Sequence, residues 1–170
     1  MLRIAIIGNT AGGKSTLARH LSARTGIDHI EIDGLYWQPG WLMTPSDVYR
    51  QEHADALARD TWIMDGGGDL PSLKARVERA SDIILIDLPL WVHFWRAAER
   101  QIAWATGTLE HPPAGGGEMP PTGRLFEIIW QLDQNWMPFL RQICDEQELK
   151  GKRVTRLTSI EELDDYMQGQ

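Results

Sequence analysis

The sequence predicts an α/β fold, a parallel sheet with helices on both faces. Three observations carry this. Short apolar runs of strand length alternate with stretches of helical periodicity. The first run, Leu2 to Ile7, is continuously apolar, as in a strand covered on both sides. It passes directly into a glycine-rich loop and then into a helical pattern.

The elements follow in order. Met1 to Ile7 has the apolarity of a leader peptide, but it meets the glycine loop without a small-residue cleavage site and reads as a buried strand. A helix starts within the loop and runs to about Arg24, burying Leu17 and Leu21 and stopping at Gly26. His29 to Asp33 is the second strand, and Gly34 to Trp41 a loop turning at Pro39-Gly40. Thr44 is the expected N-cap of a helix with Pro45 at its first position, ending near Arg59. Thr61 to Asp65 is the third strand, closed by Gly66-Gly67-Gly68. Pro71 to Arg79 is a short helix, and Ile83 to Asp87 the fourth strand.

Trp91, Phe94, Trp95, Ala98, Ile102 and Ala105 then recur at helical spacing. Thr106 to Pro121 is rich in Gly and Pro and lacks periodicity, so a lid is expected over about residues 104–123. Leu125, Ile128, Ile129, Leu132, Phe139, Leu140 and Ile143 form another helical face. Pro138 should kink or split that helix, with Asn135 as a restart cap. Arg153 to Leu157 is the fifth strand, and Ser159 caps a last helix through Met167. With no repeat and no linker, residues 1–170 read as one domain.

Bulk properties narrow the function. A chain of 170 residues with 42% apolar residues can bury a real core. A net charge of −7 without a basic block argues against direct nucleic-acid binding. The one cysteine, Cys144, excludes an internal disulfide and a zinc cluster and suits the cytoplasm. No apolar run is long enough for a bilayer, so no membrane partner is expected. The eight tryptophans read mainly as core filling or as cover for a hinge. The pattern specifies no oligomeric state.

The chemistry is concentrated in Gly8-Asn9-Thr10-Ala11-Gly12-Gly13-Lys14-Ser15, which meets the spacing G-x-x-x-x-G-K-[ST] between a strand and a helix. Glycines let the backbone curl so that several N–H groups converge, and the helix start adds its positive dipole end. Gly12 and Gly13 allow close approach of phosphate oxygens. Lys14 is expected on the β- and γ-phosphates, Ser15 on Mg²⁺, and Thr16 in support of the helix start. A chance glycine turn is the competing reading, and position, spacing and context oppose it. ATP with Mg²⁺ is therefore the expected ligand. Asp33, Asp65 and Asp87 each end an expected strand, where parallel sheets form their ligand crevice. One should hold Mg²⁺ through water, and pattern alone selects Asp87, after the most apolar strand; a turn or capping role competes for each.

Ile32-Asp33-Gly34-Leu35-Tyr36-Trp37-Gln38-Pro39-Gly40-Trp41, Trp62-Ile63-Met64-Asp65-Gly66 and Leu85-Ile86-Asp87-Leu88-Pro89 resemble the bacterial DNA topology modulation protein family, which is related to adenylate kinases. The resemblance runs in order over nearly the whole chain. It implies a P-loop NTPase three-layer fold with a five-stranded parallel sheet and a lid insertion. Nucleoside-monophosphate kinases place an Asp-Gly pair on the strand beside the phosphate-loop strand. Asp65-Gly66 matches it, so the resemblance favours Asp65 over Asp87 on the metal. By the same resemblance Arg96 would lie against adenine and Arg100 would reach phosphate; four residues apart, they share a helix face. An exposed face paired with Glu99 is the alternative.

The chain also departs from those kinases. Gly66-Gly67-Gly68-Asp69-Leu70 stands where the family is expected to carry Asn and Tyr, and no Phe-Pro-Arg follows. Thr106 to Pro121 contains no arginine or lysine. Charge for the transferring phosphoryl must then come from Lys14, Arg100, Mg²⁺ and either Arg124 or Arg141.

Asp33 to Trp41 is expected to line the acceptor pocket, with Asp33 as the base. Tyr36, Trp37 and Trp41 either stack on the acceptor or pin a mobile helix. Arg50 and Arg76 are candidate anion ligands, Arg50 fitting a solvated face better. The five histidines show no ligand spacing and read as structural or surface residues, and Cys144 as inert. The leading expectation is an ATP-dependent phosphotransferase acting on a nucleotide or other small acceptor, with Lys14, Asp33 and Arg100 as catalytic groups. The alternative is a regulatory ATPase that hydrolyses slowly and acts through a partner.

Overall fold

The computed structural model describes residues 1–113 and 118–169. In chain order the first elements are β1 (Arg3–Gly8), α1 (Lys14–Thr25), β2 (His29–Glu31), α2 (Ile32–Tyr36), β3 (Trp37–Gln38) and β4 (Leu42–Met43). Next come α3 (Ser46–Ala58), β5 (Trp62–Asp65), α4 (Leu70–Arg79), β6 (Asp82–Ile86) and α5 (Leu90–Ala105). The chain closes with α6 (Thr122–Asn135), α7 (Met137–Leu149), β7 (Arg153–Leu157) and α8 (Ile160–Gln168).

Five strands form one parallel sheet in the order β2-β5-β1-β6-β7. Side chains alternate across it. Along β1, Ile4 and Ile6 pack with Leu17, Leu21 and Leu163 on one face; Ala5 and Ile7 pack with Leu73, Met137 and Leu140 on the other. None of these four β1 residues is more than 6% exposed, which explains the unbroken apolar run. Truncating one such isoleucine to alanine costs about 2–5 kcal/mol. The chain leaves β1 toward β2 on one side and later fills β6 and β7 on the other. The carboxyl end of β1 therefore opens into a crevice, occupied by the loop that follows it.

The expected α/β class and five parallel strands are present, and four details differ. The second strand stops at Glu31 because its partner, β5, ends at Asp65 in register with it. With no further ladder to join, Ile32 to Tyr36 turns into α2, which places Asp33 on a short helix instead of a strand. The expected loop beyond holds the antiparallel pair β3–β4, turning through Gly40 (φ 80°) and Trp41 (φ 59°). In α5 the spacing is helical, but the buried side is Val92, His93, Ala97 and Gln101. Trp91 and Trp95 stack on the outside with ring centroids 6.4 Å apart. The inner side of α5 holds Val92 in the core and His93 against the Thr10 carbonyl, with the tryptophans outward. Finally, the long helix splits as expected, at Trp136, but the restart cap differs. Pro138 sits in the first turn of α7, where its missing N–H costs nothing, and Asn135 bonds back to the carbonyl of Gln131 instead of capping. Ser159 caps α8 as expected, accepting from the N–H of Glu162.

Between α5 and α6 the expected lid has no regular element among its described residues, and its residues 114–117 lie outside the described part. Glu118 and Pro120 are tied down: Trp41 Nε1 donates to the Glu118 carbonyl at 2.9 Å, and Gln101 Nε2 to the Pro120 carbonyl at 2.9 Å. No helix among the described residues is long and apolar enough to cross a membrane.

Candidate active site

The phosphate loop is anchored from three sides. Gly8 has φ 145°, and a Cβ there would collide with the Ile86 carbonyl of the neighbouring strand. Asn9 is buried; its Nδ2 donates to the Ile129 carbonyl at 3.0 Å and its Oδ1 accepts from the Thr10 N–H at 2.7 Å. His93 Nδ1 lies 2.8 Å from the Thr10 carbonyl, and Arg96 Nη1 donates to the Gly12 carbonyl at 2.8 Å. Lys14 Nζ reaches back over the loop to the Asn9 carbonyl at 2.8 Å. Burial pulls the Lys14 ammonium below its ordinary pKa, while the charges of Asp33 and Asp65 oppose that shift.

Ser15 and Asp65, the two residues expected at the metal, lie side by side. Ser15 Oγ donates to Asp65 Oδ2 at 2.6 Å, and His29 Nε2 lies 2.5 Å from Asp65 Oδ1. Asp65 is 1% exposed. Burial pushes its carboxyl up, but the bonds from His29 and Ser15 and the charge of Lys14 outweigh burial and hold it below the carboxylate range. Two hard oxygen donors beside a phosphate loop fit Mg²⁺, which takes few protein ligands and otherwise uses water and phosphate. Accordingly, no cluster of three or more His, Cys, Asp or Glu side chains able to cage a metal occurs among the described residues.

Asp87 has another partner. Its two oxygens accept from Arg141 Nε at 2.8 Å and Nη2 at 2.7 Å. That bidentate pair removes the carboxylate that strand apolarity had favoured, and it occupies Arg141, one of the cations expected to assist transfer. Arg124 bonds Glu127 at 3.0 Å, and Arg50 is exposed, 4.0 Å from Asp69.

Arg76 is 1% exposed and lines neither of the clefts at the loop. Its Nη2 donates to the carbonyls of Gly66 at 2.9 Å and Gly67 at 2.7 Å, pinning the triglycine turn from behind. Burial lowers its pKa to about 10, and its Nε and Nη1 find no partner among the described residues. Gly68 allows the same packing, since a Cβ there would strike the Tyr49 hydroxyl.

Two clefts meet at the loop. One, about 790 Å³, runs along the phosphate loop past Ser15, Thr16 and Arg19 to Leu109 and His111. The other, about 480 Å³, lies between the β3–β4 hairpin and helices α6 and α7. They share Thr10, Lys14, Asp33, Arg100 and Pro113. Burial raises the Asp33 carboxyl and Asp65 adds to this, while Lys14 opposes it. Burial lowers Arg100, against the pull of Asp33. A third recess, about 360 Å³, is formed by Ala11, Gly13, Thr16, Arg96, Leu163 and Met167, with Arg100 at its edge. Arg96 and Arg100 thus share one helix face turned toward the loop.

The expected residues Gly8 to Thr16, Asp33, Asp65, Arg96 and Arg100 come together. His29 and His93, read as structural or surface residues, belong to the same network. His29 is separated from Asp65 by 36 positions, and the strand register that joins them has no local sequence signal. His93 lay opposite the face of α5 that the spacing of Trp91, Trp95 and Ile102 pointed inward, so no sequence signal marked it.

No protein-family model matches the chain, and no curated protein matches it. Among solved structures it resembles a shikimate kinase from Acinetobacter baumannii in complex with shikimate, with a TM-score of 0.60 at 14% identity over 99% of this chain and 90% of that one. At that identity the likeness is one of fold alone.

Proposed function

We propose that this chain is an ATP-dependent phosphotransferase that passes the γ-phosphoryl of ATP to a small acceptor. One observation carries the reading: the phosphate cleft and the second cavity meet at Lys14, Asp33 and Arg100. A donor phosphate in one cleft and an acceptor in the other would face each other across those three side chains, as in-line transfer requires.

The roles follow from the chemistry of each group. Backbone N–H groups from Asn9 to Ser15 hold the phosphates, and Lys14 exchanges its bond to the Asn9 carbonyl for phosphate oxygens. Ser15 and Asp65 would hold Mg²⁺, which when bound neutralises charge on the β- and γ-phosphates. Arg96 flanks the recess that suits the adenine, and Arg100 balances charge at the junction. Asp33, with a raised pKa, takes the acceptor proton. The fold of the solved neighbour, a kinase, supports the reaction class. Kinship with the DNA topology modulation proteins belongs to the same proposal, since Asp33, Tyr36, Trp37 and Trp41, which carry that resemblance, line the acceptor side. One domain over residues 1–170 with a lid near 104–123 completes the reading.

The test is ATP consumption with nucleoside monophosphates, nucleosides, shikimate and small hydroxylated metabolites. Stimulation by at least one acceptor is expected. ATP binding without stimulation by any of them would replace the kinase with a slow regulatory ATPase.

A further inference from the structure

The 480 Å³ cavity is unevenly charged. Its charged residues, among those described, are Lys14, Asp33, Arg100 and Arg124. The first three sit where it joins the phosphate cleft, and Arg124 is engaged by Glu127 at 3.0 Å. The remaining wall is mostly carbon, apart from Asn9, Thr10 and the backbone of the Gly66–Gly68 turn. Leu132, Met137 and Leu140 come from α6 and α7, and Tyr36, Trp37 and Trp41 from the α2–β3 segment and its turn. Tyr36 and Trp37 meet edge-to-face at 5.1 Å, and Trp37 and Trp41 at 6.2 Å. Arg76, the nearby cation, is buried, gives its Nη2 to the Gly66 and Gly67 carbonyls and does not line the cavity. A phosphate or carboxylate on the far side of an acceptor would therefore meet a mostly apolar wall whose one cation, Arg124, is already paired with Glu127, which is unfavourable. An uncharged ring would gain contact with the aromatic edges.

We propose that the acceptor is an uncharged alcohol carried on an aromatic or alicyclic body, of nucleoside size, and that anionic acceptors are excluded. This rests on the phosphotransferase reading of the same site. In the transfer, the acceptor hydroxyl oxygen forms a bond to the γ-phosphorus. The bond from that phosphorus to the β,γ-bridging oxygen breaks, and its electron pair leaves with ADP. The hydroxyl proton passes to the Asp33 carboxylate and then to solvent. The anionic product ester is formed beside Lys14 and Arg100, away from the carbon wall.

Matched probes test this. 4-(Hydroxymethyl)benzamide is compared with 4-(hydroxymethyl)benzoate, and adenosine and thymidine with their 5′-monophosphates. Binding is measured by calorimetry in the presence of Mg²⁺ and a non-hydrolysable ATP analogue, and turnover as ADP release with ATP. The neutral member of each pair is expected to bind at least about tenfold tighter. Leu132→Arg, which adds a cation to the wall, is expected to shift the ratio toward the anionic member by about tenfold or more. If that variant does not fold, the wild-type ratio decides alone. Equal or tighter binding of the anionic members, or no binding of any neutral member, overturns the inference. Neutral binding without turnover leaves the inference standing and overturns the phosphotransferase reading instead. Turnover of anionic members alone does the reverse.

Discussion

The sides of the junction proposed for donor and acceptor are built in opposite ways. On the donor side, one contiguous loop supplies the ligands, and hydrogen bonds hold it: Asn9 to Ile129, His93 to Thr10, Arg96 to Gly12, Ser15 to Asp65. On the acceptor side, residues from α2, the β3–β4 hairpin, α4, α6 and α7 enclose a largely apolar space around Asp33. The difference follows the ligands. Phosphate is the same in every nucleotide, so backbone groups in fixed geometry serve it. An acceptor varies in shape, and side-chain packing selects among shapes.

The sharpest way to break the comparison is at Lys14. Lys14→Ala should lower ATP–Mg²⁺ affinity by about 100-fold or more, since it removes the loop's one side-chain cation facing the phosphates. Unchanged affinity by calorimetry would dismantle the donor side as described. On the acceptor side, Asp33→Asn should reduce turnover by about 10²–10³-fold with ATP affinity retained. Loss of ATP binding in that variant would mean the two sides are not separable. Asp65→Asn should leave the acceptor KM alone and raise the Mg²⁺ concentration needed for half activity by about tenfold, on the scale of ligand-supporting groups. A titration of activity against Mg²⁺ reads this directly.

Acid should act on the packing beneath the acceptor side. His53 is 4% exposed in α3, and burial, reinforced by Arg76, lowers its pKa to about 4 from 6.5. Its unfolded form therefore binds the proton first, and it costs stability as pH falls from 6.5 toward 4. Urea unfolding should show His53→Gln losing about 2 kcal/mol less than wild type across that window. Equal slopes would mean that His53 keeps access to water. The smallest effect is expected at Arg141. Its pair with Asp87 is half exposed, so Arg141→Ala should cost about 1 kcal/mol of stability. ATP affinity should not move, and a loss of affinity would return Asp87 to the metal side.

Legibility followed the same division. The phosphate loop was readable because its physical requirement, a strand followed by a curled backbone and a helix start, is met by consecutive residues. The strands were readable from their apolar runs, and Gly26 and Ser159 marked helix ends through conformations that few residues adopt. Asp33 was named as a candidate but placed on a strand, because the end of β2 is set by where β5 ends. Trp91 and Trp95 fit helical spacing, yet spacing carries no sign, and the buried side holds Val92 in the core and His93 against the Thr10 carbonyl. His29 escaped notice because its partner is contributed by another strand.

By itself the sequence determined the chain order of the five sheet strands and the longer helices, the parallel sheet and the Gly8–Ser15 loop, since each depends on residues close together in the chain. The tertiary structure decided which aspartate stands beside Ser15, which arginines are occupied, and where the charged part of the acceptor cavity ends. Asp65 is set apart from Asp87 by Ser15 and His29 on one side and Arg141 on the other. Arg76 is held by two carbonyls and does not line the cavity. These outcomes are competitions among side chains far apart in sequence, settled by burial and hydrogen-bond partners that exist only once the sheet has formed.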